Sequence, residues 1–394
     1  MRSRLLLFYT VAVFMWIAIY GYIPYVAPYG EVLGADFRMI GIIAGAYGFT
    51  QMLVRFPLGI LSDKLRMRKI FIILGLFFAK LSGLVVYVFP TPGALLASRT
   101  LAGVAVSSWV IFMILGASYY TREETTKSVG YLNAMNALGR MIALLGGGFA
   151  AESMGFSYAF LFSGVAGVIG LALSFFLVEK KPDMAGSTKD GFKKPLTIKA
   201  LLGVARNRQL LSASILCILV QYIPFATTFG FIPVAATRLG AGNMMLGVLG
   251  FVTLFPALLV SPLAGTVLPR KLGVKYTLVI SFLLTGLGVA AVPFCQSLWQ
   301  LFAVQLISNT GTAIGLTLLM GLCIQDISGE QRGTAMGFFQ AVYGFGMFLG
   351  PFVMGWISHS VGLTEAFLFT GAIGAVGAIA SVIYVNKGYL RYIY

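Results

Sequence analysis

The chain consists of about twelve apolar stretches, each long enough to cross a lipid bilayer as a helix, joined mostly by short connections. About 20 apolar residues span the hydrocarbon core in that form. Hydrophobic residues make up 59% of the 394 residues and charged residues only 10%, whereas about a quarter of a soluble domain is charged. No soluble core buries so much apolar surface, so the sequence predicts an integral membrane protein. The spans, numbered 1 to 12, are predicted at 5–27, 39–61, 70–89, 94–118, 128–151, 156–178, 209–235, 244–268, 275–294, 299–323, 333–357 and 364–386.

The length of the apolar runs also decides the type of secondary structure. Strands of a membrane barrel alternate in polarity and are about half as long as these runs. An unbroken apolar run satisfies its backbone within lipid only as a helix. The predicted fold class is therefore an all-α membrane protein with twelve transmembrane helices.

Basic residues mark every second connection between the spans. Short cytoplasmic loops are enriched in Lys and Arg, and here such residues precede span 1, fill residues 64–69 and recur through 180–208. Both termini are therefore predicted to be cytoplasmic, in a plasma membrane or a bacterial inner membrane. The net charge of +16 then reflects topology and contact with anionic lipid headgroups, and nucleic-acid binding is not expected.

The three cysteines and the single histidine offer no site for a metal or a disulfide framework. Cys217, Cys295 and Cys323 lie in or beside spans without paired spacing, and His359 lies near the end of span 11. Metal-binding and disulfide motifs need closely spaced ligands or pairs. No metal and no other cofactor is predicted.

One long polar connection divides the spans into six plus six, and the two groups resemble each other. The predicted domains are an N-terminal bundle 1–178, a cytoplasmic linker 179–208 and a C-terminal bundle 209–394. Gly59 lies 206 residues before Gly265 in a similar Pro-Leu context, and Gly139 lies 207 residues before Gly346. Two landmarks with nearly the same offset indicate a duplicated six-helix unit in parallel orientation.

Two motifs carry a resemblance to a known family. Gly59-x-x-x-Asp63-Lys64-x-Arg66-x-Arg68-Lys69 is similar to the loop 2–3 signature of the major facilitator superfamily, with Arg66 in place of its second glycine. Arg99-x-x-x-Gly103 resembles the arginine motif of span 4 in that family. The resemblance implies two six-helix bundles that rock around a central cavity lined by spans 1, 4, 7 and 10. One chain then forms the whole cavity, and a monomer is expected.

Residues of the loop motif are candidates for gating. Asp63 can accept bonds from a facing helix N-terminus or an arginine, and Arg55 lies two turns before it. The basic residues can bind headgroups or acids of the other half, or can simply follow the positive-inside pattern. Drug–proton antiporters of the family often carry a Gly-Pro pair in span 5, and here such a pair, Gly350-Pro351, lies in span 11 instead. The predicted gating residues are Gly59, Asp63, Lys64, Arg66, Arg68, Lys69, Arg55, Gly350 and Pro351.

Four cations lie at membrane depth, where charge is costly and usually functional. They are Arg55, Lys80, Arg99 and Arg140, and no acidic residue lies at comparable depth in the sequence. Cations without acidic partners need another anion, and a substrate is one candidate. Arginine suits carboxylate and phosphate because its planar fork bonds two oxygens at once. Lys80 is expected to snorkel or to make a local structural bond.

Neutral polar residues complete the predicted substrate site. Asn133 and Asn136 share a helix face with Arg140, and polar residues recur in spans 7, 10 and 11. Amide and aromatic groups bind the body of an organic solute while arginine binds its charge. The predicted substrate-binding residues are Arg99, Arg140, Asn133, Asn136, Tyr22, Gln221, Gln305, Asn309 and Tyr343.

These features predict a secondary active transporter for a small organic solute, anionic or zwitterionic, that works by alternating access. An alternative is a proton-coupled multidrug or metabolite efflux antiporter, in which Glu31 and Asp36 are the proton-coupling candidates. A non-transporting membrane receptor or assembly subunit is a remote alternative. The chain has no nucleotide-binding P-loop motif, and an enzyme is not predicted. A proton is the expected coupling ion.

Overall fold

The structure is a computed structural model, and it describes residues 2–65, 67–120, 125–179, 207–325, 327 and 332–384. Arg66 and most of the predicted linker lie outside these ranges. The side chains of Asp63 and Lys64 also lie outside the described part of the chain. The predicted boundaries between the two bundles and the linker therefore stay a prediction.

The described residues form helices and no strand, and twelve of the helical segments are long and apolar enough to cross a membrane. This confirms the predicted fold class. The helices are Arg2–Tyr20, Ile23–Tyr25 and Val26–Val32 (span 1), Phe37–Leu65 (span 2), Arg68–Val88 (span 3), Pro92–Ser107 and Trp109–Ser118 (span 4), Thr125–Met154 (span 5), Phe156–Ser174 (span 6), Arg208–Ala226, Thr227–Phe231 and Ile232–Arg238 (span 7), Asn243–Val252 and Phe255–Leu272 (span 8), Val274–Ala291 and Val292–Phe294 (span 9), Leu298–Gln325 (span 10), Arg332–Ser360 (span 11) and Leu363–Tyr384 (span 12).

Spans 1 and 7 are interrupted at matching places. In span 1 a 3₁₀ turn at Ile23–Tyr25 contains Pro24, and in span 7 a π turn at Thr227–Phe231 lies between Pro224 and Pro233. Proline removes a backbone donor and clashes with the preceding turn, so a helix bends or changes pitch there. Irregular backbone at membrane depth is tolerated where it is buried in protein or lines a cavity. Both interruptions lie beside the site described below.

Glycine lets neighbouring helices of the same half approach closely. A Cβ at Gly83 in span 3 would lie 2.6 Å from the Gly164 nitrogen in span 6. The corresponding pair in the second half is Gly286 and Gly374, where a Cβ on Gly286 would lie 2.9 Å from the Gly374 Cα. These backbone approaches hold the peripheral helices of each half together.

The two halves contact each other through span 2 with span 11 and span 5 with span 8. Connections 33–36, 239–242 and 361–362 lie at one end of the molecule, here called the short-loop end, and the opposite end is called the basic end. Toward the short-loop end, a Cβ at Gly41 would lie 2.9 Å from the Gly355 Cα, and one at Gly148 would lie 3.5 Å from the Gly247 Cα. Toward the basic end, a Cβ at Gly59 would meet no described atom within 4 Å. Among the described residues, these close backbone contacts between spans 2 and 11 run from the short-loop end to mid-helix, where a Cβ at Gly48 would lie 2.7 Å from the Met347 carbonyl carbon.

Candidate functional site

Three of the four deep cations converge on one tyrosine in the interior. The guanidinium groups of Arg55, Arg99 and Arg140 all act electrostatically on the hydroxyl of Tyr47, which is buried in span 2. The arginines come from spans 2, 4 and 5, so no sequence spacing brings them together. The structure thus gathers positive charge around one point of the membrane interior.

Arg99 is positioned by the contact between spans 4 and 2. Its side chain is 3% exposed, and its guanidinium carbon lies 4.6 Å from the centre of the Tyr47 ring. One turn later, a Cβ at Gly103 would lie 2.6 Å from the Tyr47 carbonyl oxygen. Only glycine lets the two helices approach so closely. The glycine of the Arg-x-x-x-Gly motif therefore brings the arginine against the tyrosine.

Arg140 of span 5 packs against a different tyrosine, Tyr20. Its guanidinium carbon lies 4.4 Å from the centre of the Tyr20 ring in span 1. A cation over an aromatic face is stabilised by about 0.5–2 kcal/mol, more where water is excluded. Asn136 on the same helix is half-buried, and Asn133, one turn nearer the basic end, is exposed. The predicted polar face of span 5 therefore continues from Arg140 toward the basic end.

Aromatic rings connect these arginines across the two halves. Tyr47 stacks on Phe225 at a centroid distance of 6.1 Å and an interplanar angle of 14°. Phe225 contacts Phe229 at 5.1 Å, and Phe229 contacts Tyr20 edge-on at 6.3 Å. We call Tyr20, Tyr47, Phe225 and Phe229 the aromatic layer. Tyr20 was among the span 1 tyrosines considered from the sequence, whereas Tyr47, Phe225 and Phe229 were not, although Phe225 and Phe229 share a helical face at a spacing of four.

Arg55 joins the two halves directly. Its Nη1 donates a 2.7 Å hydrogen bond to Oε1 of Gln340 in span 11, and Tyr343 one turn further along that span also interacts with the guanidinium. The sequence suggested Asp63 as its partner, whose side chain lies outside the described residues. The observed bond connects spans 2 and 11 near the basic end of their contact.

Each of the three arginines retains a buried nitrogen without a hydrogen-bond partner. These atoms are Nε of Arg55, Nη1 of Arg99 and Nε of Arg140. Arg238 pairs with Glu31, and His359 contacts Asp36, and neither of these contacts involves this cluster. Buried polar groups are normally satisfied, and an orphan needs an explanation. An anion is a ligand that accepts hydrogen bonds from such guanidinium nitrogens.

The second half contributes neutral polar groups beside the aromatic layer. Gln305 of span 10 is fully buried, and its Oε1 accepts hydrogen bonds from the Thr228 hydroxyl at 3.2 Å and from Asn309 Nδ2 at 3.3 Å. Gln221 in span 7 is half-buried, and the neighbouring Tyr222 hydroxyl is buried without a partner. Of the predicted polar residues, Gln305 and Asn309 thus lie together, and Thr228 joins them from the π turn.

A small cavity lies where Arg140 meets the second half. It measures about 20 Å³, which is room for a water molecule or two. Binding of a larger solute there requires the neighbouring side chains to move apart. The cavity is lined by span 5, span 7, span 8 and the 3₁₀ turn of span 1, through residues that include Pro24, Arg140, Leu144, Thr228, Phe229 and Thr253.

Tyr22 and Lys80 lie away from this cluster. Tyr22 is fully buried within the first half, where it stacks on Phe160 at 4.8 Å and donates a 3.2 Å hydrogen bond to Ser82. The Lys80 ammonium lies 4.8 Å from the centre of the Phe77 ring on its own helix. Tyr20, two residues before Tyr22, is the span 1 tyrosine that contacts Arg140.

Charged residues at the short-loop end connect the two halves. Glu31 lies 3.9 Å from Arg238, and Asp36 lies 3.5 Å from Nδ1 of His359. Asp36 Oδ1 also accepts a 2.7 Å hydrogen bond from the Met39 N–H at the start of span 2. Both predicted proton-coupling candidates therefore lie at this contact and not beside the deep arginines.

Spans 5 and 8 add a second polar contact at this end. Oε2 of Glu152 accepts a 3.0 Å hydrogen bond from the Met244 N–H, in the first turn of span 8. Asn243 Nδ2 donates a 3.0 Å bond to the Ala151 carbonyl. A carboxylate at a helix N-terminus is favoured by the unpaired N–H groups and the helix dipole. Glu152 was not among the residues predicted from the sequence.

The predicted gating residues fall into two groups. Gly350 packs against the backbone of Tyr222, and the Pro351 carbonyl faces Gly41, so this pair lies where spans 11, 7 and 2 meet. At the basic end, the backbone N–H groups of Arg68 and Lys69 donate to the Glu179 carboxylate at 2.8 and 3.1 Å. The backbone of these two residues thus binds Glu179, which follows span 6 of the same half.

Known proteins agree with this architecture. The sequence model of the Major Facilitator Superfamily matches residues 5–234 and 215–389, nearly the whole chain. The protein belongs to the Major Facilitator Superfamily. The resemblance inferred from its motifs is therefore confirmed, and the chain is an integral membrane protein of a transporter family.

Individual relatives also resemble this chain over most of its length. An uncharacterized MFS-type transporter of Methanocaldococcus jannaschii is 24% identical over 369 residues, covering 92% of this chain and 93% of the relative. The inner membrane transport protein YajR of Escherichia coli (strain K12) is 24% identical over 368 residues, covering 90% of this chain and 77% of the relative. The crystal structure of the nucleoside transporter NupG superimposes with a TM-score of 0.77 at 14% identity, covering 98% of this chain and 99% of that one. The structural likeness shows the shared fold.

Proposed function

We propose that this protein is a secondary active transporter that moves a small organic anion or zwitterion across the membrane by alternating access. The single observation that carries the proposal is the cluster of Arg55, Arg99 and Arg140, each with an unpartnered buried nitrogen. An uncompensated buried charge costs several kcal/mol. A substrate anion offsets that cost, and a lipophilic cation raises it.

The same arrangement supports alternating access. Close contacts between the halves reach the short-loop end, where Glu31 pairs with Arg238 and Asp36 with His359. We assign the basic end to the cytoplasm, because lysine and arginine concentrate in cytoplasmic loops. The described conformation is then closed outward, and substrate enters or leaves from the cytoplasm. Rocking of the halves would break these pairs and close the basic end.

Proton coupling and location are the finer parts of the proposal. Glu31 and Asp36 lie at contacts that must open, so protonation of either carboxylate would weaken the closed state. Coupling through them would serve uptake, exchange or efflux. We place the protein in the plasma membrane, or the inner membrane of a bacterium, as a monomer with both termini in the cytoplasm and its basic loops on anionic lipid.

A thermal-shift panel on purified protein tests the substrate class. Aliphatic carboxylates, aromatic carboxylates and organic phosphates are compared with tetraphenylphosphonium at equal ionic strength. A ligand that binds only the folded state raises the unfolding temperature by mass action. We expect anions to stabilise the wild type, and Arg140→Ala to weaken binding about 30-fold, as expected for the loss of a charged hydrogen bond of about 2 kcal/mol.

Lys80→Ala provides the matched control, because it removes another membrane-depth cation that lies over Phe77 on its own helix. It is expected to bind the anions as the wild type does. Uptake of the best anion into proteoliposomes then tests transport itself. Stabilisation by tetraphenylphosphonium that Arg140→Ala leaves unchanged would contradict the proposal. That result would favour the multidrug antiporter, with Glu31 and Asp36 as the next residues to replace.

A further inference from the structure

The π turn of span 7 carries a polar residue that the arginine cluster does not account for. The turn comprises Thr227–Phe231, and its first two residues are threonines with different partners. The Thr227 hydroxyl donates a 2.8 Å bond to the Ile223 carbonyl of its own helix. The Thr228 hydroxyl donates across to Oε1 of Gln305 at 3.2 Å. π turns are rare and frequently occur at functional sites.

The bond to Gln305 decides how Thr228 interacts with a ligand. A hydroxyl has one hydrogen to donate and two lone pairs to accept with. Asn309 Nδ2 donates to the Gln305 backbone carbonyl at 2.8 Å and to the same Oε1 at 3.3 Å, so the Gln305 amide presents its oxygen to Thr228 while its Nε2 is buried without a partner. The Thr228 hydrogen is therefore committed to Gln305. Its lone pairs remain free to accept.

Thr228 and Arg140 line the same cavity from different halves of the protein. Arg140 comes from span 5, and Thr228 comes from span 7 beside Phe229. Arg140 offers only donors, since a guanidinium has no acceptor. The cavity thus combines a cation that binds an acid group with a neutral acceptor that binds an N–H or O–H.

We infer that Thr228 is a specificity-determining residue that selects, among organic anions, those that also carry a hydrogen-bond donor, and that Gln305 is the positioning residue that makes Thr228 an acceptor. The substrate class is therefore a hydroxy acid or an amino acid-like zwitterion and not a simple carboxylate. This inference rests on the proposed function, because it requires that Arg140 binds the acid group.

Two matched pairs of acids test the inference. Glycolate is compared with methoxyacetate, and 4-hydroxyphenylacetate with 4-methoxyphenylacetate, by thermal-shift titration of the full chain. Each methoxy compound keeps the oxygen but loses the donor. The wild type is expected to prefer the hydroxy member of at least one pair by about tenfold, the size of one well-made hydrogen bond.

Thr228→Val is expected to abolish that preference while both acids still bind. Thr227→Val is the matched control, because it makes the same change one residue earlier in the same turn and should keep the preference. Gln305→Leu should lower the ratio toward one by freeing the Thr228 hydrogen for the methoxy oxygen. If the role of Gln305 is purely structural, Gln305→Leu should weaken the binding of both acids equally and leave the ratio of their affinities unchanged.

The outcomes separate the two proposals. If anions bind the wild type and Arg140→Ala weakens that binding about 30-fold, the anion site of the proposed function stands, whatever the ratio. A wild-type ratio near one in both pairs, or a ratio that Thr228→Val leaves unchanged, would overturn the role of Thr228. If none of the four acids stabilises the wild type, the role of Thr228 is overturned as well. The broad anion panel described under the proposed function then decides whether that function also fails.

Discussion

Tyr47 is the residue on which the site converges. Its ring contacts both the Arg99 guanidinium, 4.6 Å from the ring centre, and Phe225, whose ring centroid lies 6.1 Å away. The ring thus contacts a cation of the first half and an aromatic ring of the second half. The face of the ring provides both contacts, and the hydroxyl provides neither.

Replacement of Tyr47 separates the two parts of the side chain. Tyr47→Phe keeps the ring and should bind organic anions within about twofold of the wild type. Tyr47→Leu removes the aromatic face from Arg99 and should weaken binding about five- to tenfold, because such a cation–π contact contributes about 1 kcal/mol. Thermal-shift titration with the best anion measures both. Equal losses in the two variants would show that the hydroxyl is the important group.

At the scale of helices, the crossing of spans 2 and 11 sets the closed contact. A Cβ at Gly355 would lie 2.5 Å from the Phe37 carbonyl and 2.7 Å from the Gly41 Cα. Two glycines therefore let the helices touch through their backbones. Polar pairs at the same end add to this contact, but surface ion pairs contribute only about 0–1 kcal/mol each.

A larger side chain at the crossing of spans 2 and 11 should open the short-loop end. Gly355→Leu is expected to shift the equilibrium toward the open state by about tenfold, because overpacking a tight contact costs about 1–3 kcal/mol. Spin labels at positions 34 and 361, in a background without the three cysteines, report the distance between the halves.

The control for this larger side chain is Gly321→Leu in span 10. A Cβ at Gly321 would meet no described atom within 4 Å, so the same enlargement has nothing to displace there. Its distance distribution should match that of the wild type. A wild-type distribution for Gly355→Leu would contradict the assignment of this crossing as the closed contact.

For the whole molecule, alternating access requires the Glu31–Arg238 contact to open in every cycle. Glu31→Cys with Arg238→Cys, joined by a short bifunctional methanethiosulfonate reagent, should abolish uptake into proteoliposomes. Anion binding in detergent should persist within about twofold, because the site remains open toward the basic end in the proposed mechanism. Reductant should restore transport.

Each single cysteine variant, treated with the same reagent, is the control for modification without a bridge. Both should transport at the rate of their untreated forms. Uptake that continues in the bridged double variant would contradict a mechanism in which the two halves separate at this end.

The motifs predicted part of the site and left out the rest. Arg99 and Arg140 were identified because charge at membrane depth is conspicuous in an apolar sequence. Tyr47 and Phe229 were not, because aromatic residues are common in membrane helices and nothing in their spacing shows which face a cavity. Glu152 was missed for another reason. Its partner is a backbone N–H of span 8, and because every residue except proline has such a donor, the sequence does not show which one a carboxylate will bind.

The class of protein, its twelve helices and its family are all readable from the amino-acid sequence alone. They follow from apolar run lengths, from positive charge in alternate loops and from local motifs, all of which act within about 20 residues. The tertiary structure alone shows that three arginines from spans 2, 4 and 5 meet at Tyr47. It alone also shows that Thr228 bonds to Gln305 of span 10. Such contacts depend on how helices distant in sequence rotate and cross. In lipid, the rotation and crossing of helices are determined by close packing and by hydrogen bonds between polar groups of different helices. The sequence of a single span does not specify these contacts.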